Sequence, residues 1–182
     1  MQPDTKLPGA TFRTRVRDDT TAGPNPYEWQ DVTTGELFTG KRAILIGLPG
    51  AFTPTCSTRQ LPGFEERAED FRAEGIDEIY CISVNDAFVM NKWAESLGLK
   101  TIRMIPDGSG DFTRKMGMLV RKDNLGFGLR SWRYAAVVED GTVRAWFQEP
   151  GLCDDAVDDP YVASTPEAVL DWLRGAAKAD AA

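Results

Sequence analysis

The chain contains the stretch Ala43-Ile-Leu-Ile-Gly-Leu-Pro-Gly-Ala-Phe-Thr-Pro-Thr-Cys56, an apolar run followed by a tight loop rich in proline and glycine. Apolar residues at helical spacing come next, namely Leu61, Phe64, Ala68 and Phe71. This order places Cys56 in the first turn of a helix, where free backbone N–H groups favour an anion. Because the thiolate is the reactive form of cysteine, Cys56 is a candidate nucleophile. The alternative is a small buried hydrophobic residue, the usual state of a lone cysteine after a core strand.

The rest of the chain alternates predicted strands with predicted helices. Residues 42–48 and 78–84 are continuous apolar runs, a pattern typical of central strands covered on both faces. An N-terminal β-hairpin is predicted from residues 10–17 and 27–32, and Asp140-Gly141 marks the turn of a second hairpin. This order predicts an α/β fold with a mixed central sheet flanked by helices. The remaining predictions are a short strand at 101–105 and helices at 57–73, 87–97, 111–116 and 166–177.

Length and composition limit the class of protein. With 182 residues the chain is expected to form one domain, residues 1–182. The net charge of −7 argues against nucleic acid or an anionic membrane surface as a partner. The absence of histidine excludes Ser-His-Asp and Cys-His catalysis as well as histidine-ligated zinc or haem. We expect no metal and no other cofactor.

The cysteines indicate a reducing compartment. They stand at positions 56, 81 and 153 without C-x-x-C spacing, which disfavours a structural zinc site and a thioredoxin-type dithiol. Their low, odd number fits a reducing environment better than a disulfide-stapled secreted domain. The first residues, 1–8, lack the apolar stretch of a signal peptide, and no run is long and apolar enough to span a membrane. We therefore expect a cytoplasmic protein.

Four patches of sequence resemble one enzyme family. Pro49, Thr53 and Cys56 form the pattern P-x-x-x-T-x-x-C, with which the chain resembles the peroxiredoxins, the AhpC/TSA-type branch of the thioredoxin superfamily. Residues 49–57, 61–64, 83–89 and 130–134 are similar to the type-II, or peroxiredoxin-5-like, subfamily. The resemblance implies a thioredoxin-like fold with an N-terminal β-hairpin. It also implies thiol-dependent reduction of hydrogen peroxide and alkyl hydroperoxides.

The resemblance also implies the roles of single residues. Cys56 supplies the sulfur, and Thr53 supplies a hydroxyl that holds thiolate and peroxide, although Thr53 could equally be a helix cap. Pro49 shields the sulfur from water, or simply ends a strand. The reaction also requires a cation near the sulfur. A guanidinium suits this role, because it stays charged and offers several donors in a fixed fork. The resemblance aligns Arg133 with the family's catalytic arginine, while Arg130 is the weaker candidate and would anchor a loop.

Turnover requires that the Cys56 sulfenic acid be reduced. Cys81 lies in a predicted central strand and is expected to be buried and inert. Cys153 lies in an acidic loop, where neighbouring carboxylates disfavour a thiolate. We expect a one-cysteine cycle reduced by an external thiol, for which the resemblance names glutathione with glutaredoxin, or thioredoxin. One departure stands out, since Gln60 occupies a position where the subfamily often has histidine.

The remaining expectations concern how the protein assembles and which other functions its sequence allows. The resemblance suggests a homodimer, with Phe52 and Phe88 as candidate interface residues. The acidic residues 154, 155, 158 and 159 lack EF-hand spacing, so a solvated loop is expected there.

A redox sensor, relay or chaperone that passes oxidation to a partner protein would need the same sulfenic acid. A non-catalytic binding module is the third possibility, against which the Thr53, Cys56 and Arg133 set argues.

Overall fold

A five-stranded mixed sheet forms the centre of the molecule in the computed structural model, which describes residues 2–18, 20–23 and 26–180. The strands lie in the order β5-β4-β3-β8-β9, with β3, β4 and β5 parallel and with β8 and β9 antiparallel to their neighbours. The elements are β1 (Thr11–Arg17), β2 (Tyr27–Thr33), α1 (Thr34–Phe38), β3 (Arg42–Gly47), a π-helical turn (Cys56–Gln60), α2 (Leu61–Glu66), α3 (Ala68–Ala73), β4 (Glu78–Ser83), α4 (Ala87–Leu97), β5 (Ile102–Pro106), α5 (Asp111–Lys115), β6 (Leu119–Arg121), a 3-10 turn (Asp123–Leu125), β7 (Leu129–Ser131), β8 (Tyr134–Glu139), β9 (Thr142–Gln148) and α6 (Pro166–Asp180). No helix in the described ranges is long and apolar enough to cross a membrane.

Apolar cores cover both faces of this sheet, as the continuous apolar runs predict. Ile44 and Ile46 of β3 face a core that includes residues of α2, α3, α4 and α6. Ala43 and Leu45 face the opposite core, to which β1, α1 and α5 contribute. Successive side chains of a strand point to opposite faces, so a strand between two cores must be apolar throughout. The predicted α/β class is confirmed.

Both predicted hairpins are present, and four short elements were missed, namely α1, β6, β7 and the 3-10 turn. β1 pairs with β2, and β8 pairs with β9 around the turn at Asp140-Gly141, where both residues have positive φ. The missed helix α1 has a capping box, since the Thr33 hydroxyl accepts from the Glu36 N–H while the Glu36 carboxylate accepts from the Thr33 N–H. Its Thr-x-x-Glu spacing was a readable signal. The missed strands β6 and β7 have only three residues each.

The helix that follows the cysteine loop is less regular than predicted. Helical backbone begins at Pro54, a π-helical turn spans Cys56–Gln60, and a break at Arg67 separates α2 from α3. In the π-helical turn the Leu61 N–H donates to the Cys56 carbonyl, five residues back. Pro62 has no N–H and crowds the carbonyl four residues before it, so the wider turn relieves a conflict that a regular helix would keep.

Strands β3 and β8 approach each other around a tyrosine ring. Gly47 is paired with Tyr134, and a Cβ added at Gly47 would lie only 2.1 Å from a ring carbon of that tyrosine. The ring stacks on Trp146 with centroids 4.5 Å apart. Because the ring occupies the space beside Gly47, the start of β8 is held against the end of β3. This contact sets the position of Arg133, which immediately precedes β8.

Candidate active site

The loop between β3 and the π-helical turn is held at both ends by hydrogen bonds. The Thr53 hydroxyl donates to the Gly50 carbonyl at 2.7 Å, and the Ser57 N–H donates to the Thr53 carbonyl at 3.0 Å, which opens the helix. On the other side, the Ala51 N–H donates to Asn85 Oδ1 at 2.9 Å. Cys56 therefore lies in the first helical turn, as predicted.

Cys56 and Arg133 meet in the protein interior. Cys56 is fully buried, Arg133 is only 1% exposed, and its Nη1 donates to Cys56 Sγ at 3.3 Å. Burial alone would lower the pKa of the Arg133 guanidinium, but the negative charges of Cys56 and Asp159 outweigh burial and raise it. A buried cation is stable only when it is paired, and the Cys56 sulfur is one of the partners of this guanidinium.

Three further groups complete the surroundings of the guanidinium. Asp159 accepts from Nη2 through both carboxylate oxygens at 2.6 Å, and the Pro160 carbonyl accepts from Nε at 3.1 Å. Gln60, which is fully buried, accepts from Nη1 through Oε1. Two of these three partners come from the segment after β9, which the sequence analysis expected to be a solvated loop.

That segment, residues 150–165, is here called the strap. Its Tyr161 ring lies 5.7 Å from the Arg133 guanidinium and 5.0 Å from that of Arg59. Burial raises the pKa of the Tyr161 hydroxyl to about 12. The Asp159 carboxylate thus accepts hydrogen bonds from the Arg133 guanidinium, and the Tyr161 ring faces that guanidinium. The Asp159 side chain is 44% exposed, as expected for a solvated acidic loop, but its carboxylate also binds the buried guanidinium of Arg133, a contact that was not predicted.

The buried carboxylate of Glu149 holds the strap in place. Its oxygens accept from the N–H groups of Val162, Ala163 and Ser164 at 2.7–3.0 Å and from the Ser164 hydroxyl at 2.8 Å. Burial would raise the pKa of Glu149, but the hydrogen bonds, above all from the Ser164 and Val162 N–H groups, lower it. The Glu149 N–H also donates to the Arg133 carbonyl at 3.1 Å. One residue therefore ties the strap to the strand that positions the arginine.

The other predicted site residues lie around this centre. Thr53 is half-buried at the start of the helical turn, and Pro49 is buried where the loop leaves the sheet. Arg130 does not reach the sulfur in this arrangement. Its Nε donates to the Phe127 carbonyl at 3.1 Å and its Nη1 to the Val84 carbonyl at 2.9 Å, so it anchors loops, as the alternative predicted.

The remaining cysteines differ in environment. Cys81 is fully buried in β4, where burial and the nearby Cys56 raise the pKa of its thiol. Cys153 is exposed at the beginning of the strap. Its neighbours Asp154 and Asp155 are engaged with Arg121. All three cysteines are free thiols.

Four of the contacting residues were missed as site residues, because no local pattern marks them. Gln60 was noticed as a departure but given no role. Asp159 was assigned to the acidic loop, and Glu149 and Tyr161 were not singled out. The carboxylate of Glu149 directly follows β9, a hydrophobic strand, and that position was the only hint of a buried role.

Comparison with known proteins gives matches over nearly the whole chain. A model of the Redoxin family matches residues 7–159. A peroxiredoxin of Rhizobium etli is 60% identical over 177 residues, which cover 97% of this chain and 99% of that protein.

Two solved structures are similar over a comparable extent. The Plasmodium falciparum antioxidant protein, described as a 1-Cys peroxiredoxin, is 38% identical with a TM-score of 0.87, covering 94% of this chain and 99% of that one. Reduced Prx3 of Vibrio vulnificus in complex with H2O2 is 33% identical with a TM-score of 0.82, covering 97% and 98%.

The first prediction concerns the carboxylate that holds the strap. Glu149→Gln should lower the free energy of unfolding at pH 7 by about 1–3 kcal/mol, because a charged acceptor of several N–H groups is lost. The folded pKa of Glu149 lies below its ordinary value of 4.5, so its contribution is complete above about pH 4.5 and is lost as the pH falls further. Urea unfolding at several pH values measures this contribution.

The control for this experiment is Glu28→Gln, which neutralises an exposed carboxylate. The difference in unfolding free energy between wild type and Glu149→Gln should be constant from pH 7 to about pH 5.5 and should shrink below about pH 4.5. A gap that does not change with pH, or an unfolding free energy equal to that of the control, would contradict the assignment.

Proposed function

Because this chain belongs to the redoxin family and is a peroxiredoxin with a thioredoxin-like fold, we propose that Cys56 is its peroxide-reducing nucleophile. Peroxiredoxins are thiol-dependent peroxidases, so the chain is an oxidoreductase. The observation that carries the proposal is the hydrogen bond from Arg133 Nη1 to Cys56 Sγ, 3.3 Å long and fully buried.

Hydrogen peroxide and alkyl hydroperoxides are the proposed substrates. The Cys56 thiolate attacks the terminal oxygen of the hydroperoxide ROOH, and the O–O bond breaks to give a sulfenic acid and an alkoxide, which takes up a proton. The Thr53 hydroxyl already donates to the Gly50 carbonyl, so its lone pairs are available to accept a hydrogen bond from the peroxide O–H. Pro49, buried where the loop begins, keeps water from the sulfur.

An external thiol is the proposed reductant. One thiol condenses with the sulfenic acid, releasing water and forming a mixed disulfide, which a second thiol then reduces. Within the chain, Cys81 is fixed in a central strand, and Cys153 lies in a strap whose hydrogen bonds to Glu149 and Arg133 oppose its movement. We propose glutathione with glutaredoxin, or thioredoxin, as donor, in the reducing environment of the cytoplasm. The description of the Plasmodium relative as a 1-Cys peroxiredoxin is in keeping with this cycle.

A homodimer is the proposed assembly. Phe52, in the loop before Cys56, and Phe88, at the start of α4, are 57% and 51% exposed. Burying two such rings in each subunit would remove a large apolar area from water. Sedimentation at micromolar concentration checks the assembly, since a sole species of 20.1 kDa would contradict it.

The second prediction separates the three cysteines. Cys56→Ser should remain folded and lose essentially all peroxide turnover, because a serine hydroxyl is a far weaker nucleophile. Cys153→Ser should keep most activity with glutathione and glutaredoxin. Peroxide consumption measures the activity, and peptide mapping after peroxide treatment without a thiol should find oxidised Cys56.

A dominant Cys56–Cys153 disulfide within one chain would show that the one-cysteine cycle is wrong. Full turnover by Cys56→Ser would remove the nucleophile assignment altogether. Oxidation that stops after one equivalent with every thiol donor, leaving a mixed disulfide with another protein, would support a redox relay instead.

The third prediction compares the two nearby arginines. Arg133→Lys should slow the oxidation of Cys56 by roughly 100-fold, because an ammonium group cannot replace a fork that binds sulfur and carboxylate together. The matched control is Arg130→Lys, which alters contacts to two backbone carbonyls and to the Phe127 ring and should change the rate less than about threefold. Stopped-flow measurement of a single oxidation gives both rates. A larger effect at Arg130 than at Arg133 would reverse the assignment.

A further inference from the structure

The carboxylate of Asp159 reaches from the surface of the strap to the cation beside Cys56. Its side chain is 44% exposed, whereas the side chain of Arg133 is 2% exposed. Arg133 Nη2 lies 2.6 Å from each oxygen of this carboxylate. No other residue that the structure describes donates a hydrogen bond to the Asp159 side chain. An exposed acid is thus engaged only with a buried base.

The strap binds one side of the guanidinium, and the sulfur binds the other. Asp159 accepts from Nη2, and the next residue, Pro160, accepts from Nε through its carbonyl at 3.1 Å. The remaining nitrogen, Nη1, donates to Cys56 Sγ. Because a guanidinium is rigid and planar, partners that fix Nε and Nη2 also fix the direction in which the Nη1 donors point. Two consecutive residues of the strap therefore orient Arg133 toward the sulfur.

Other contacts hold the strap in place on both sides of Asp159. Before it, the Asp155 N–H donates to the Arg121 carbonyl at 2.7 Å. After it, the Glu149 carboxylate accepts from the N–H groups of residues 162–164. Neither contact involves the Asp159 side chain. Removing this carboxylate should therefore leave the strap in position and release only the guanidinium.

The direction of the guanidinium donors matters for the chemistry at Cys56. Negative charge develops on the peroxide oxygens as the O–O bond breaks, and donors stabilise this charge best when they are already in place. An arginine side chain has several rotatable bonds, so without a fixed partner it samples several orientations. A carboxylate that accepts from the far side of the guanidinium restricts these orientations.

We propose that Asp159 is a positioning residue, whose carboxylate holds the Arg133 guanidinium in the orientation that serves Cys56 during peroxide attack. Asp159 does not touch the peroxide, and no bond forms or breaks at its carboxylate. Its whole effect on the reaction passes through Arg133. The inference rests on the proposed function, in which Cys56 is the nucleophile and Arg133 its cation.

The experiment measures how fast H2O2 oxidises Cys56 in a single turnover. Stopped-flow rates are taken at increasing pH until they reach a plateau, so that changes in the thiolate fraction do not enter the comparison. Asp159→Ala removes the acceptor, and Asp159→Asn keeps an acceptor oxygen on a side chain of the same length. The matched control is Asp158→Ala, because Asp158 is exposed, carries the same charge and has no side-chain partner among the described residues.

The plateau rates give the first result. Asp159→Ala should lower the plateau rate by roughly tenfold to 100-fold, because the guanidinium is no longer held in the reactive orientation. Asp159→Asn and Asp158→Ala should each lower it by less than about threefold. A plateau rate of Asp159→Ala equal to that of the Asp158 control would overturn the proposal, as would an Asp159→Asn variant as slow as Asp159→Ala.

A double-mutant cycle separates positioning of Arg133 from a general effect on the strap. In an Arg133→Met background, Asp159→Ala should change the rate of oxidation by less than about twofold, because the group through which it acts is gone. A residue that merely keeps the strap folded would slow both backgrounds by the same factor, and that result would overturn the proposal. If Arg133→Met does not fold, the comparison of Asp159→Ala with Asp159→Asn still decides the outcome.

Failure of the proposed function would be recognised separately. It would appear as normal peroxide turnover in Cys56→Ser, whereas failure of the role of Asp159 alone would leave turnover dependent on Cys56.

Discussion

The guanidinium of Arg133 is the group on which the site depends. It is buried, it cannot lose its proton, and an unpaired charge at that depth would cost several kcal/mol. The chain satisfies it from three directions, with the sulfur of Cys56, the amide of Gln60, and the carboxylate and carbonyl of the strap. The helix start, the strand β8 and the strap are therefore held together by the needs of one side chain.

Much of the fold could be predicted because its signals are local. Continuous apolar runs marked the central strands, and Asp140-Gly141 marked a hairpin whose turn needs positive φ at both positions. The predicted single helix after Cys56 was too regular, because Pro62 acts on the carbonyls of the turn before it. Strands of three residues, such as β6 and β7, carry too short a pattern to be distinguished from loop.

The site could be predicted only in part, for a related reason. Cys56, Thr53 and Pro49 lie in one motif, and Arg133 followed from resemblance to a family. Asp159 was missed because its partner is distant in sequence, and an acidic loop residue has no local feature that distinguishes a solvated carboxylate from one bound to a buried cation. Glu149 was missed likewise, since its ligands are backbone N–H groups, which every sequence offers. Such contacts belong to the tertiary structure.

The close approach of Gly47 and Tyr134 restricts how this protein can diverge. The tyrosine ring fills the volume that any side chain at position 47 would need, and the ring is stacked on Trp146 and cannot swing aside. Substitutions at positions 47 and 134 must therefore occur in a fixed order. A smaller residue must first appear at 134, where it leaves a cavity, before a larger one is tolerated at 47. Because Tyr134 adjoins the arginine, every intermediate on that evolutionary path passes through a loosened candidate site, and the pair should be inherited as a unit.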